Sequence, residues 1–384
     1  MNLKKTAILS ISLLIVIVNS AVAPLIGLIS NSFPDVGITL IKQVVTLPSL
    51  MIVVFSLISG QLVRILPKKY VLALGLFIYT IGGVGAYWAS TIISLLVFRA
   101  ILGAGTGLIG PLAISFITDF YSGEERAKMV GYSTFTSYLG TALSLIITSL
   151  FVKTNWRDAF FVYSFALIIL LFTSIFIPYV NNTSSKKEVE RPVVLSFSVI
   201  KLAVLACSIY IIFYLFPTDV AFLIKVINST DVSKAASLLA IEIIAAAAAG
   251  ILFSKAIHKL GLYAFSLGFA FISSGFLAIN ISNSFFMLVG SVILIGLGIG
   301  TLRPMIYFRT SQVCPSESTT AAFALINSGF SLGQFISPFF YFGIPSHFIF
   351  PIHTSAYLTA GIIFCAIGLS SLILIICFSK STTD

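Results

Sequence analysis

Apolar residues occur along this chain in long blocks, and short polar stretches separate the blocks. A helix that crosses a bilayer needs about 20 mostly apolar residues, and twelve blocks reach roughly that length. They cover residues 6–29, 39–63, 70–88, 92–116, 129–152, 159–179, 198–217, 233–253, 262–280, 285–308, 318–342 and 354–378. The pattern therefore predicts an all-α membrane protein with 12 transmembrane helices.

The fourth and tenth blocks repeat one another at a distance of 193 residues. Gly103, Gly105, Gly107 and Pro111 recur as Gly296, Gly298, Gly300 and Pro304. This distance is close to half of the 384 residues, which indicates one unit used twice. We therefore expect two pseudo-symmetric six-helix bundles in the same orientation, residues 1–180 and 198–384, joined by a polar linker at 181–197. Such repeats are typical of secondary transporters with a substrate site between the halves.

The composition excludes several classes of protein. With 58% hydrophobic and 9% charged residues, the chain has too little polar surface for a water-soluble globule. The formal charge of +10 is scattered in twos and threes without an aromatic-basic face, so we expect no nucleic-acid partner. The four cysteines stand singly, and no metal-ligand cluster, paired catalytic acids or nucleotide-binding loop accompanies them. We expect no cofactor, no metal and no enzymatic activity.

Lysine and arginine residues predict the orientation. If the N-terminus is cytoplasmic, fifteen of them fall on the inner side and five on the outer side. This excess predicts that both termini and the linker lie in the cytoplasm. We expect a multi-pass protein of the cell membrane that is a monomer. Residues 4–23 imitate a signal peptide, but Pro24 follows directly and the apolar run is long. We therefore expect the first helix to be retained.

Two motifs carry a resemblance to a known family. In the fourth block, Arg99, Gly103 and Gly105 fit the pattern Arg-x-x-x-Gly-x-Gly. The loop after the second block fits Gly-x-Leu-x-Asp-Arg-x-Gly-Arg-Lys at Gly60, Leu62, Lys68 and Lys69, whereas Arg64 stands where Asp is usual. Both patterns are signatures of the major facilitator superfamily, which the chain resembles over essentially its whole length. The resemblance implies a fold of two six-helix halves and secondary transport by alternating access.

The resemblance to drug/proton antiporters within that family is partial. Their usual Gly-Pro-x-x-Gly-Gly motif of the fifth helix is replaced by Gly140-Thr-Ala-Leu-Ser144. Fourteen Tyr and thirty-five Phe favour an amphiphilic cargo over a sugar. We therefore favour proton-coupled export of an amphiphilic small molecule, such as a drug or metabolite. Two alternatives remain open: an importer or facilitator of a small nutrient, and a membrane scaffold without transport.

Three charged residues are candidates for proton coupling. Glu242 lies about ten residues into the eighth block, near the bilayer centre, and the predicted spans place no other acid so deep. A charge there costs at least about 2.5 kcal/mol, so it indicates a cavity, a partner or a proton. The alternative is a carboxylate paired structurally with an arginine. For Arg99 the resemblance implies a proton relay or helix-bridging hydrogen bonds, and the alternative is a packed Arg that caps carbonyls. Asp219 follows Pro217-Thr218 and is either an outer gate or a solvated loop acid.

Polar and aromatic residues inside the blocks are candidates for cargo binding. We expect these side chains to face the central cavity together with Glu242: Asn19, Tyr138, Tyr214, Asn327 and Gln334. Arg303 could attract an anionic cargo, and the alternative is that its side chain extends to the membrane surface.

A last group of residues is expected to control the opening of the inner side. Asp119 should pair with Arg64, Lys68 or Lys69, and such an exposed pair contributes only about 0–1 kcal/mol, which suits a contact that breaks in every cycle. The alternative is a solvated charge cluster. Gly60 belongs to the same loop motif. The repeated glycines should allow close helix packing, with bends at Pro111 and Pro304.

Overall fold

The computed structural model describes residues 3–121, 123–151, 155–178, 196–226, 232–313, 319–342 and 352–380, and within these ranges all regular structure is helical. The α-helices are α1 (Leu3–Ser20), α2 (Ile26–Ser32), α3 (Ile38–Ile65), α4 (Lys68–Gly85), α5 (Ile92–Phe120), α6 (Gly123–Phe151), α7 (Phe165–Phe176), α8 (Phe197–Phe213), α9 (Leu215–Val226), α10 (Val232–Leu260), α11 (Tyr263–Asn280), α12 (Phe285–Val313), α13 (Thr319–Phe342) and α14 (Ile352–Lys380). There are also three 3₁₀ segments in the described ranges. Ala23–Leu25 lies between α1 and α2, Ala86–Trp88 follows α4, and Trp156–Ser164 precedes α7.

Each of the twelve predicted blocks contains a helix. Ten stretches in the described ranges are long and apolar enough to cross a membrane. The first predicted block becomes α1 and α2, within the candidate span Leu3–Ser32, and the seventh becomes α8 and α9, within Phe197–Ile224. The fifth block becomes α6, whose apolar part is the shorter stretch Phe135–Leu150, and the eleventh block becomes α13. The predicted all-α membrane architecture is confirmed.

Local sequence signals set two of the helix ends. Helix α5 begins with a capping box, because the Thr91 hydroxyl accepts the Ser94 backbone N–H at 3.1 Å and the Ser94 hydroxyl accepts that of Thr91 at 3.1 Å. Helix α10 ends before Gly261, which has φ +53° and donates its N–H to Ile257 O at 2.9 Å. Only glycine adopts this left-handed conformation without steric cost, so Gly261 allows the chain to reverse into α11.

The chain divides into two compact units. The first unit is Met1–Pro192 with Gln334–Pro338, and the second is Val193–Gly333 with Phe339–Asp384. Helices α1–α7 therefore belong to the first unit, and α8–α12 and α14 belong to the second. Most of the predicted linker lies in residues 179–195, outside the described residues.

In the first unit, the repeated glycines bring α5 against two neighbours. A methyl group on Gly103 would lie 2.5 Å from the carbonyl oxygen of Pro48 in α3. One on Gly105 would lie 2.7 Å from Cα of Tyr79 in α4. Real Cβ contacts are longer than this, so only glycine fits at either position. Because the two residues stand two apart, they face opposite sides of α5.

The second unit repeats this arrangement around α12. Gly296 lies against the backbone oxygen of Glu242 in α10, and a methyl group on Gly298 would lie 2.7 Å from Ile272 in α11. The predicted role of the glycines in close helix packing is confirmed in both units. Helices α5 and α12 continue through Pro111 and Pro304.

Candidate functional site

Glu242 is a buried acid in the middle of a candidate span. It lies near the centre of Ser233–Leu252, and the residue is 7% exposed. Among the residues that the structure describes, its carboxyl group makes no hydrogen bond and no ion pair. The alternative of a structural pair with an arginine is therefore absent from the described part of the chain. An ionised carboxylate without a partner is costly in such a place.

Asp219 is a second buried acid, and its position corrects one expectation. It lies in α9, after the break at Tyr214 that separates α8 from α9, and is 1% exposed. The alternative of a solvated loop acid is wrong, because the residue is almost fully covered. The burial of Asp219 was missed because sequence position alone did not show that α9 continues the helical path inside the protein.

Arg99 is fully buried at the centre of the first unit, at 0% exposure. Its Nε donates to Val44 O at 2.6 Å, Nη2 to Val18 O at 2.6 Å and Nη1 to the Tyr163 hydroxyl at 2.9 Å. The Tyr163 hydroxyl in turn donates to Val18 O at 2.9 Å. We call these four residues the Arg99 cluster. Each guanidinium nitrogen is engaged, so the geometry agrees with a residue that joins α1, α3 and α5 to the 3₁₀ segment before α7.

Two of the predicted cargo-binding residues lie together. Asn19 Nδ2 donates to Gln334 Oε1 at 3.3 Å and to Ser49 Oγ at 3.0 Å, and Ser49 Oγ donates to Gln334 Oε1 at 2.6 Å. Gln334 lies in the short segment of α13 that packs with the first unit. A cargo with a hydroxyl or amide group could exchange hydrogen bonds with this trio.

The polar row of α3 is a feature that the sequence analysis missed. Gln43, Thr46 and Ser49 stand three residues apart and are all buried. Thr46 Oγ1 donates to Gln43 Oε1 at 3.2 Å, and Gln43 Nε2 donates to Phe335 O at 3.4 Å. A spacing of three places residues on one helix face, so a polar row inside an apolar block was a readable signal.

Arg303 and Tyr214 lie at the two ends of an aromatic row in the second unit. The Arg303 guanidinium carbon is 5.4 Å from the centre of the Phe330 ring. Phe330 is 4.5 Å from the Tyr210 ring, which stacks on Tyr214 at 6.4 Å. This distance from Arg303 to the ring suits a cation–π contact, and the arginine itself is exposed.

Two predicted cargo-binding residues join neither group. Tyr138 is half-buried on α6, and Asn327 is exposed on α13. No hydrogen bond within the described ranges connects either of them to the other predicted residues.

The predicted charge pair at the end of α5 is present. Lys68 Nζ donates to both carboxylate oxygens of Asp119, at 2.8 and 2.7 Å, and the side chains are 11% and 20% exposed. Lys69 has a different acceptor, the Ile177 carbonyl after α7, at 2.8 Å. The side chain of Arg64 lies outside the described residues. Gly60 has open space around it, and Pro111 is exposed.

Curated relatives match parts of the chain. An arabinose-proton symporter of Escherichia coli (strain K12) is 26% identical over 124 residues, 32% of this chain and 26% of the relative. Multidrug resistance protein 3 of Bacillus subtilis (strain 168) is 34% identical over 109 residues, 27% of this chain and 21% of the relative. The chain thus spans about a quarter of the length of these relatives.

Solved structures are similar over almost the whole chain. A D-xylose-proton symporter has a TM-score of 0.76 at 14% identity, covering 96% of this chain and 95% of its own. A bacterial homologue of the human lysosomal transporter Spinster, inward-facing and unoccupied, has a TM-score of 0.74 at 15% identity, covering 97% and 96%. At such identities the likeness shows the shared fold.

The sequence profile of the Major Facilitator Superfamily matches residues 8–338, well over half of the chain. The helical spans, the fold and this match agree with the resemblance carried by the two short motifs. The chain belongs to the Major Facilitator Superfamily.

Proposed function

We propose that the protein is a secondary transporter that works by alternating access, uses the proton gradient and exports an amphiphilic small molecule. Proton coupling is inferred from Glu242. This acid lies in mid-span, is 7% exposed and has no hydrogen bond or ion pair among the described residues. In membrane proteins, ionisable residues inside the spans are rare and mark pathways for ions or protons.

The surroundings of Glu242 suit repeated gain and loss of a proton. A carboxylate held by an arginine keeps its charge, whereas one without a cation alternates when water reaches it. Entry of water or cargo would stabilise the charged form, and closure would restore the neutral acid. Asp219, which is also buried, is the second proton-coupling candidate. The contacts of Arg99 favour a role in holding the helices of the first unit together.

We assign the other candidate residues to cargo binding and to gating. Asn19, Ser49 and Gln334 offer hydrogen bonds to cargo, and Tyr214 with its aromatic row offers apolar surface. The pair of Lys68 and Asp119 closes the side that the excess of Lys and Arg assigns to the cytoplasm. Its partial exposure allows it to break at modest cost.

Export is supported by the aromatic-rich composition and by the similarity to Multidrug resistance protein 3. Proton-coupled import of a small nutrient is the second candidate, because the arabinose-proton symporter is also similar. A scaffold without transport is the third possibility and predicts no flux at all.

Proteoliposomes containing a pH-sensitive dye test the proposal. With a proton gradient imposed across the vesicle membrane, we expect protons to flow down that gradient while ethidium or rhodamine 6G moves in the opposite direction. Co-entry of protons with arabinose or xylose would instead establish import. Glu242→Gln should abolish coupled flux of the amphiphilic dyes, because the amide does not exchange a proton.

The matched control is Glu125→Gln, which removes an exposed acid of α6. It should leave flux unchanged. Unfolding temperatures of both variants in detergent should match the parent protein, which separates coupling from insertion. Coupled flux at the parental rate in the Glu242→Gln variant would overturn the assignment.

A further inference from the structure

The second unit contains an apolar cavity of about 730 Å³. It lies where the beginnings of α8 and α11 meet the ends of α10, α12 and α14. Its apolar wall consists of Leu202, Leu205, Leu260, Leu262, Met305 and Ile375. A volume of this size is in the range of cavities that bind small organic molecules or a hydrocarbon chain.

The cavity lies at a position where the two repeats differ in their side chains. In the first unit Lys68 stands at the beginning of α4, and its buried side chain reaches Asp119 at the end of α5. The positions 193 residues later hold Gly261 and Gln312. Gly261 lines the cavity and carries no side chain, so position 261 cannot form an equivalent bridge across this end of the helices.

One basic residue lines the cavity, and two more directly precede wall residues in the sequence. Arg309 lies in the wall, and its Nη1 donates to Gln312 Oε1 at 2.8 Å, a neutral acceptor; among the described residues Arg309 makes no ion pair. Lys201 and Lys259 are exposed and directly precede the wall residues Leu202 and Leu260. The described lining contains no acidic residue.

The cavity lies at the level where the candidate spans end. The span containing Arg309 ends at Thr310, and the span of α11 begins at Tyr263, which is also in the wall. This is the depth at which phospholipid headgroups meet hydrocarbon. The excess of Lys and Arg assigns this end to the cytoplasmic side.

We propose that this cavity binds an anionic phospholipid of the adjacent leaflet, with one acyl chain along the leucines and its phosphate at Arg309. The apolar wall accounts for the chain, and the three cations account for the charge. A soluble phosphate compound would leave the apolar wall unused. The lipid would hold α8, α10, α11, α12 and α14 together at one end, where the first unit uses Lys68 and Asp119.

Native mass spectrometry of the full chain, released from nanodiscs of phosphatidylglycerol and phosphatidylcholine, tests the proposal. We expect retained phosphatidylglycerol on the parent protein. Arg309→Gln should lower its preference over phosphatidylcholine about fivefold, because one basic residue near the headgroups is lost. Leu205→Trp should reduce retention of both lipids by filling the apolar cavity.

Lys5→Gln is the matched control, since it removes one basic residue of the first unit on the same predicted side and should retain lipid as the parent does. Equal retention by the parent, Arg309→Gln and Leu205→Trp proteins would overturn the proposal and show unspecific surface lipid. Equal retention of the two lipids by the parent would overturn the role of charge. Binding of glycerol phosphate at the same affinity would overturn the role of the acyl chain. If Leu205→Trp fails to fold, Arg309→Gln still decides the outcome.

Discussion

Helices α5 and α12 have the same glycine spacing but differ in the charge buried beside them. In the first unit Arg99 donates from every guanidinium nitrogen, and the position 193 residues later is the buried, apolar Val292. In the second unit Gly296 packs on the backbone of Glu242, whereas Gly103 packs on the backbone of Pro48. The repeat thus maintains the distances between backbones while the side-chain chemistry has diverged. The first unit holds a fully bonded charge, and the second holds a buried acid that has no hydrogen bond or ion pair among the described residues.

Replacement of Arg99 should have the largest effect on stability. Arg99→Ala leaves a cavity and removes hydrogen bonds between four segments, so we expect a loss of about 3–5 kcal/mol. Val292→Ala at the corresponding position of α12 should cost less, about 1.5–3 kcal/mol, because only packing is lost. Thermal unfolding in detergent measures both. Equal losses would show that the Arg99 cluster adds nothing beyond packing.

The glycine contacts should give the next largest effect, and similarly in both units. Gly105→Ala and Gly298→Ala push α4 from α5 and α11 from α12, so each should lower stability by about 1–3 kcal/mol. The controls are Gly110→Ala and Gly290→Ala on the same two helices, where a methyl group meets nothing within 4 Å. These should be neutral or slightly stabilising, since alanine favours helix. A loss in one unit alone would contradict the shared packing.

The charge pair at the end of α5 should give the smallest change in stability and a clear change in conformation. Asp119→Asn removes the ion pair with Lys68, at a cost of about 1 kcal/mol or less. We expect cysteines introduced on the predicted cytoplasmic side to become more accessible to a thiol reagent. Gln312→Asn, at the corresponding position of the second unit, should leave accessibility unchanged. The same accessibility in both variants and the parent would remove the gating role of the pair.

The parts of the molecule that the sequence predicted are those set by local pattern. The apolar blocks gave the helices, because a span must satisfy its own backbone in lipid. The glycine spacing gave the packing of α5 and α12, since residues two apart must face opposite neighbours. The charge of Asp119 and its place at a helix end gave its pairing with a lysine at the beginning of α4.

The parts that escaped prediction depend on tertiary contacts. Nothing local distinguishes Lys68, which reaches Asp119, from Lys69, which reaches the end of α7. The burial of Asp219 depends on α9 continuing after the break at Tyr214. The choice between two roles for Arg99 needed the positions of Val18, Val44 and Tyr163, which are far apart in the sequence.

The Arg99 cluster also sets an order for assembly during synthesis. Arg99 enters the membrane in the fourth span, but Tyr163, one of its acceptors, arrives only with the sixth. Until then the guanidinium lacks part of its hydrogen-bonding shell, and an exposed arginine at mid-span costs about 2.5–3.5 kcal/mol. The N-terminal half should therefore remain loosely associated on the ribosome until the residues around Tyr163 have been inserted.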